Sequence, residues 1–381
     1  MNRERLLILM LLLTGTVVSV AMAANYLINP YGVWSSGLID PVYRRVTDNR
    51  AQMPYLLRSA KPATLLVGTS RVLLGMPIEQ GCRDGVLNAG LGGGSMPQVS
   101  GIVNAALDNP QLKRIVWGVD FFQFDSGFNH DQPEMRARIQ GSGATRIEDT
   151  LLSLDTLGDA ADVIVRAFKG RRLLPPLRTA PIPWPTAMIC WQFASEHYGL
   201  AKESPALIRT QLTQSFPGLY VHYDWSPALF GLFRSTVDRA RARQVEVRLF
   251  IPPMNQYELE LIRQRKLWPL FLETKRMLAS VGPFVDFSGY NQIARHDDLF
   301  IDVMHMKPPA GNQVLRIMLG MEPARCNPLA TIVAESAMRV DAKSIDSAIA
   351  AQEAMRESAA IKPSRYMRRA AEAIDPARQP D

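Results

Sequence analysis

Ala63-Thr-Leu-Leu-Val67, followed at once by Gly68-Thr69-Ser70-Arg71, decides how this chain is read. A short apolar run that stops at a glycine has the pattern of a strand buried on both faces of a sheet. Four later runs repeat it: Gly85-Val-Leu-Asn88 before Ala89-Gly90, Arg114-Ile-Val-Trp117 before Gly118-Val119-Asp120, Glu246 to Ile251 before Pro252-Pro253, and Pro283 to Phe287 before Ser288-Gly289. Stretches of helical length separate them. Met96–Leu107 carries Pro97 in its first turn, Pro227–Arg243 precedes the Glu246 strand, and Pro309–Leu319 follows the last strand. Strands alternating with helices predict an α/β fold with a parallel sheet, and functional residues are then expected just beyond the strand C-termini.

The 381 residues allow one large domain or two ordinary ones, and 47% hydrophobic against 21% charged is enough to bury a core. The net charge of +7 is diffuse, with no dense Lys/Arg block, so no nucleic-acid partner is expected. Cys82, Cys190 and Cys326 are too few for a disulfide scaffold or a Cys-rich zinc site. Leu6 to Ala24 holds no charge over 19 residues; at ~1.5 Å per residue it reaches ~28 Å, about one hydrocarbon thickness. Arg3 and Arg5 ahead of it favour a cytoplasmic N-terminus. The segment reads as a retained signal anchor, with cleavage after the A-x-A pattern Ala21-Met22-Ala23 as the alternative. The division expected is an anchor over 1–24, a juxtamembrane connector over 25–60 with Tyr26, Tyr31 and Trp34 at the interface, an α/β domain over 61–325 with an insertion at about 125–225, and a charged tail over 326–381, helical or disordered.

Three places carry candidate chemistry. Ser70 stands directly after a strand and before a helix, with its hydroxyl and N–H near the sheet's C-terminal edge, which suits a nucleophile; an N-cap serine is the plainer alternative. Val72 excludes the G-x-S-x-G elbow. Asn88-Ala-Gly90-Leu-Gly92-Gly93-Gly94-Ser95 is a glycine-rich turn that fails the dinucleotide fingerprint, so an oxyanion donor suits it better than a phosphate loop. Asp302-Val-Met-His305 places an acid three residues before a histidine, spacing that lets Asp302 orient His305 through Nδ1 and leaves Nε2 to take a proton from Ser70. His296-Asp297-Asp298 is a rival. No second compact ligand pair accompanies these residues, so no metal and no cofactor is expected.

As an ordered set these blocks resemble the SGNH (GDSL-type) hydrolase superfamily. The resemblance covers about residues 60–320. It implies a flavodoxin-like three-layer α/β sandwich, a Ser70–His305–Asp302 triad, and an oxyanion hole from the N–H groups of Ser70 and of Gly92 or Gly93. Arg71 and Asp120 become candidate site-lining residues. Two positions depart from the family pattern: the first block reads Gly-Thr-Ser, and Asp120 stands where the family has Asn. An anchored, extracytoplasmic domain of this type is similar to the alginate and exopolysaccharide O-acetylation proteins. That likeness implies acyl transfer to hydroxyls of a secreted polysaccharide, with the acyl donor supplied through a multispanning membrane O-acyltransferase. It places the protein in a bacterial inner membrane, single-pass, with its main domain in the periplasm. Trp184, Trp191, Tyr223 and Trp225 are candidates for stacking on sugar rings, core packing being the alternative. An esterase that deacylates a glycan or lipid, and a non-catalytic scaffold of an exopolysaccharide assembly complex, remain open.

Overall fold

The structure is a computed structural model that describes residues 3–34, 36, 38–39, 49–76, 85–129, 133–141, 143–169, 205–321, 327–358 and 365–374. They belong to two compact units, Met1–Lys61 with Gln132–Glu196, and Pro62–Asp131 with His197–Asp381.

The second unit is built on one six-stranded sheet. Its strands are β1 (Thr64–Val67), β2 (Val86–Asn88), β3 (Arg114–Gly118), β4 (Glu246–Ile251), β5 (Phe284–Asp286) and β6 (Met338–Val340), in the order β2-β1-β3-β4-β5-β6. The first five run parallel and β6 closes one edge antiparallel to β5. Leu65, Leu66, Val67, Ile115, Val116 and Trp117 have no exposed surface, which is why these strands read as continuous apolar runs. The helices Met96–Ala106 and Pro227–Ala242 begin at prolines in their first turns and pack on the sheet, with Trp117 edge-on to Phe233 at 5.0 Å.

Two close approaches fix the edge of the sheet where the chain turns. Gly118 ends β3 under Val72: a Cβ there would stand 2.6 Å from Val72 Cγ2 and 2.8 Å from Phe250 Cζ. Gly311, in the first turn of the helix Pro308–Leu319, lies so near the helix Ser70–Gly75 that a Cβ would fall 1.4 Å from the Gly75 carbonyl oxygen.

The segment after residue 326 is helical in part, one of the two outcomes expected, and adds a strand. It forms the helices Pro328–Glu335, Ile345–Ser358 and Arg365–Ile374 and also strand β6. Gln352 is buried and enters a polar cluster: Lys275 Nζ lies 2.8 Å from Asp286 Oδ2 and donates to Gln352 Oε1 at 2.8 Å, while Gln352 Nε2 donates to Asp286 Oδ2 and to the Ser288 carbonyl. Burying Lys275 and Asp286 is tolerable because both are paired and hydrogen-bonded.

The expected insertion divides between the units. Residues 132–196 group with the N-terminal residues, whereas Pro205–Leu219 belongs to the second unit. The proline-rich stretch 175–185, Trp184, Trp191 and all three cysteines lie outside the described residues. In the first unit the helix Arg3–Ile28 is long and apolar enough to cross a membrane, and its side chains from Leu6 to Val20 are mostly exposed. It runs unbroken through Ala21-Met22-Ala23.

Candidate active site

The helix Ser70–Gly75 leaves the sheet directly after β1. Its cap is Thr69, whose backbone is extended and whose Oγ1 accepts the Arg71 N–H at 3.3 Å. The capping alternative for Ser70 therefore does not hold, and its hydroxyl has another partner: Ser70 Oγ stands 2.9 Å from His305 Nε2. His305 Nδ1 in turn faces Asp302, 2.8 Å from Oδ2 and 3.0 Å from Oδ1. The structure thus joins three residues that the sequence separates, in the order acid, imidazole, hydroxyl.

Asp302 is held by more than its histidine. Its Oδ1 accepts the N–H groups of Met304 and His305 at 2.8 and 2.9 Å, closing a tight turn. A bridge between Phe300 and Met306, and the bond from Ile301 N to His305 O at 2.8 Å, zip the turn's base. Asn255 Nδ2 donates to the Val303 carbonyl, and Gln211 Oε1 accepts the Val303 N–H at 3.2 Å. Burial by itself would raise the Asp302 carboxyl; the His305 hydrogen bond and charge, the Met304 N–H and Gln211 outweigh it and hold the group down at about 2. Asp302 is thus a carboxylate at neutral pH, as an orienting acid must be.

Arg71 and Asp120 do not line an open site. Both are buried, at 4% and 1% exposure, beneath the Ser70 turn. Thr69 Oγ1 donates to Asp120 Oδ2 at 2.6 Å, and Arg71 Nε lies 3.2 Å from Asp120 Oδ1. One carboxylate therefore grips both chain neighbours of Ser70. Arg71 Nη2 also reaches both oxygens of Glu258 at 2.6 Å, Glu258 accepts from the Tyr220 hydroxyl at 2.8 Å, and Arg71 Nη1 donates to the Pro253 carbonyl at 3.4 Å. Burial works against the Arg71 charge, but Glu258 and Asp120 overcome it and keep the guanidinium protonated. Burial is also the main force on Asp120, and it raises that carboxyl despite Arg71 and Thr69. Asp120 is an acceptor in this arrangement, with no bond aimed at the Ser70 hydroxyl.

The glycine-rich turn follows β2. Gly90 passes so close to the helix Ser70–Gly75 that a Cβ would meet Leu73 N at 2.6 Å. Gly92 and Gly93 form the exposed tip, Gly93 with φ of 57°, and a Cβ on either would meet nothing within 4 Å. Gln123 ties this turn to the end of β3, accepting the Asp120 N–H at 3.1 Å and donating to the Gly94 carbonyl at 2.8 Å.

His296 is exposed, faces Asp298 at 3.5 Å and takes no part in the Ser70 chain of bonds. Among the described residues no group of three His, Cys, Asp or Glu side chains is placed to hold a metal. Tyr223 stacks on Phe121 at 4.5 Å and donates to its carbonyl, and Trp225 packs on Phe230 at 5.9 Å, while both residues stay half-buried. Next to Arg71 a recess is lined by Gly75, Met76, Pro252, Pro253, Met304 and Met306. Asn255, Gln211, Glu258, Tyr220 and Gln123 hold the site together and were not singled out by sequence; only Asn255 had a signal, its place just past the Pro252-Pro253 strand end.

Comparison of the chain with models of protein families, with curated proteins and with solved structures finds no match in any of the three.

Proposed function

We propose that this protein is a serine-dependent acyltransferase of the SGNH type, anchored in a bacterial inner membrane, that places acyl groups, acetyl first among them, on hydroxyls of a secreted polysaccharide in the periplasm. The observation that carries the chemistry is the chain Asp302–His305–Ser70, with contacts of 2.8 and 2.9 Å. The strand order β2-β1-β3-β4-β5 supports the fold assignment, since it is the flavodoxin-like order and Ser70 follows β1 at its β1/β3 switch point. The polysaccharide acceptor rests on the likeness to exopolysaccharide O-acetylation proteins of an SGNH-like domain behind a membrane-length N-terminal helix, with Asn29-Pro-Tyr-Gly32 after that helix and Gly68-Thr-Ser-Arg71 at the serine.

In this mechanism His305 Nε2 takes the Ser70 proton while Ser70 Oγ attacks the acyl carbonyl carbon. The tetrahedral oxyanion is met by the Ser70 N–H, which as the first of its helix has no acceptor within it, and by the Gly92-Gly93 turn. The carbonyl re-forms, the bond to the donor's leaving oxygen breaks, and that oxygen takes the proton from His305. A sugar hydroxyl then gives its proton to His305 and attacks the Ser70 ester; the new ester leaves, and Ser70 recovers the proton. Asp302 keeps the imidazole in the tautomer that both halves need.

Incubating the full-length protein with p-nitrophenyl acetate, and following intact mass and p-nitrophenol release, tests the reading. One acetyl adduct on Ser70 is expected, faster turnover with an oligosaccharide acceptor, and neither adduct nor turnover in Ser70→Ala or His305→Ala. Turnover indifferent to any acceptor would establish an esterase, and no adduct in the wild-type protein would leave a scaffold.

A further inference from the structure

The helix Leu154–Lys169, in the N-terminal unit, has an outer face that a water-exposed helix should not have. At 100° per residue, its packed positions Thr156, Ala160, Val163 and Ala167 share one side. Leu154, Gly158, Ala161, Val165 and Phe168 fall within an arc of about 80° on the opposite side. All five are exposed, Leu154 at 80% and Phe168 at 64%. Asp155, Asp162, Arg166 and Lys169 lie along one flank of this stripe. A surface helix normally turns its polar side outward; here the outward side is apolar, and exposed Leu152 extends it.

The position of this helix says what covers that side. Asn25 directly follows the uncharged run Leu6–Ala24, so a membrane crossed by that run ends at Asn25. Asn25 Nδ2 donates to the carbonyls of Leu151 and Ser153 at 2.8 and 3.3 Å, fixing Leu152 and Leu154 at that boundary. Further along, Tyr31 donates to Asp159 at 2.6 Å, and Ile28 packs against the cluster of Ile39, Val163 and Ala167. Ser153 to Val163 spans ~15 Å of one helix, whereas Asn25 to Ile28 spans only ~4.5 Å of the other. The helix therefore crosses the end of the anchor rather than continuing it, and runs close to the membrane plane.

We infer that Leu154–Lys169 is an interfacial helix, with Leu154, Val165 and Phe168 seated among the lipids of the bilayer that the N-terminal helix crosses. This rests on the anchor reading above. The geometry is that of a helix lying in the headgroup boundary, buried ~5–10 Å on its apolar side. Its consequence for the proposed activity is that the first unit is tied to the membrane surface by two elements instead of one.

The test uses the full-length protein, with Cys82, Cys190 and Cys326 replaced by serine, reconstituted in vesicles of phosphatidylethanolamine and phosphatidylglycerol. Spin labels at Leu12→Cys, Asp162→Cys, Val165→Cys and Phe168→Cys are read for collision with oxygen and with a water-soluble nickel chelate. The expected result is Leu12 deep in the hydrocarbon, Val165 and Phe168 shielded from nickel and open to oxygen at shallow depth, and Asp162 open to nickel. If Leu12 is deep but Val165 and Phe168 are open to nickel, the interfacial helix is overturned while the anchor stands. If Leu12 is itself open to nickel, the anchor reading fails and the inference with it. Shielding of Val165 and Phe168 from both reagents, with spin–spin broadening, assigns the stripe to a second copy of the chain and overturns the lipid assignment.

Discussion

Ser70 Oγ lies 2.9 Å from His305 Nε2 across 235 positions of sequence. That contact depends on backbone as much as on side chains. Ser70 opens a helix that emerges beside Gly118 at the end of β3, and His305 closes a turn directly before the helix whose Gly311 touches Gly75. Everything in the proposed chemistry follows from how firmly these two short pieces are held.

Asp302→Asn should lower kcat for p-nitrophenyl acetate by about 10³–10⁴-fold with little change in KM. The amide retains an acceptor for the turn N–H groups of Met304 and His305, so the turn survives, but its NH₂ cannot accept from Nδ1 and the imidazole is held in the wrong tautomer. An unchanged kcat would remove Asp302 from the mechanism.

Two carboxyls in the site have opposite effects on acid stability. Asp302 is held at about 2, below its unfolded value of about 3.9. Its stabilisation is present above pH ~4 and lost as pH falls toward 2, amounting to about 2 kcal/mol. Asp120 is raised, chiefly by burial, so the folded state keeps its proton longer and stability falls as pH rises above its unfolded pKa. Urea midpoints of the detergent-solubilised full-length protein from pH 2 to 8 should show Asp302→Asn removing the slope below pH ~4 and Asp120→Asn removing a slope of opposite sign above it. Identical profiles in wild type and variants would contradict both assignments.

Asp120→Asn should be neutral or stabilising at pH 7. It removes a buried charge while Arg71 keeps both oxygens of Glu258 and Thr69 keeps its acceptor. Arg71→Ala should cost about 3–5 kcal/mol, because it leaves Asp120 and Glu258 buried without their cation. The two variants separate a charge-balancing cluster from a merely well-packed one. A loss of more than about 2 kcal/mol in Asp120→Asn would mean that the negative charge itself stabilises the Ser70 turn.

Much of this was legible in the sequence. Each parallel strand is an apolar run closed by Gly, Pro or a small polar residue, a local signal that does not depend on partners. Asp302-x-x-His305 is local too, and Ser70 is marked by its strand. What supports them is not local: Arg71 finds Glu258 187 positions away, and no spacing around Glu258, Tyr220 or Gln211 announces that pairing. β6 was missed because Met338-Arg-Val340 has three residues and a partner on one side only, too short for any alternation to register. The tail around it reads as polar and charged, yet Gln352 is buried where it bonds Lys275 and Asp286, and Val340 where β6 pairs with Phe284 of β5.

Gly311→Ala should damage both stability and catalysis. The added Cβ would stand 1.4 Å from the Gly75 carbonyl oxygen, a backbone atom, so the helix after His305 must move away from the helix that carries Ser70. Overpacking of this kind costs ~1–3 kcal/mol or more. A lowered Tm with a disproportionate fall in kcat is the expected pair of results. Full activity at an unchanged Tm would show that the two helices are not so closely apposed.

The Lys275–Asp286 pair gives a prediction with a definite sign in the alkaline range. Burial pulls the Lys275 ammonium below its usual range, and Asp286, 2.8 Å away, opposes that pull. Asp286→Asn removes the opposing charge, so the folded state should release the Lys275 proton at still lower pH than the unfolded chain, whose lysine titrates near 10.4. The folded state then binds fewer protons than the unfolded state below that pH, and stability of this variant should rise as pH increases toward 10. At neutral pH it should be down by about 3–5 kcal/mol, the usual cost of stranding a buried charge. Adding Lys275→Met removes the stranded charge, so the double variant should be more stable than Asp286→Asn alone and lose the alkaline rise. Urea titrations at pH 7 and pH 9.5 on the three proteins decide it. A double variant less stable than Asp286→Asn alone would show that Gln352 and the helix Ile345–Ser358 need the cation itself, and not just neutrality, to stay docked on β5.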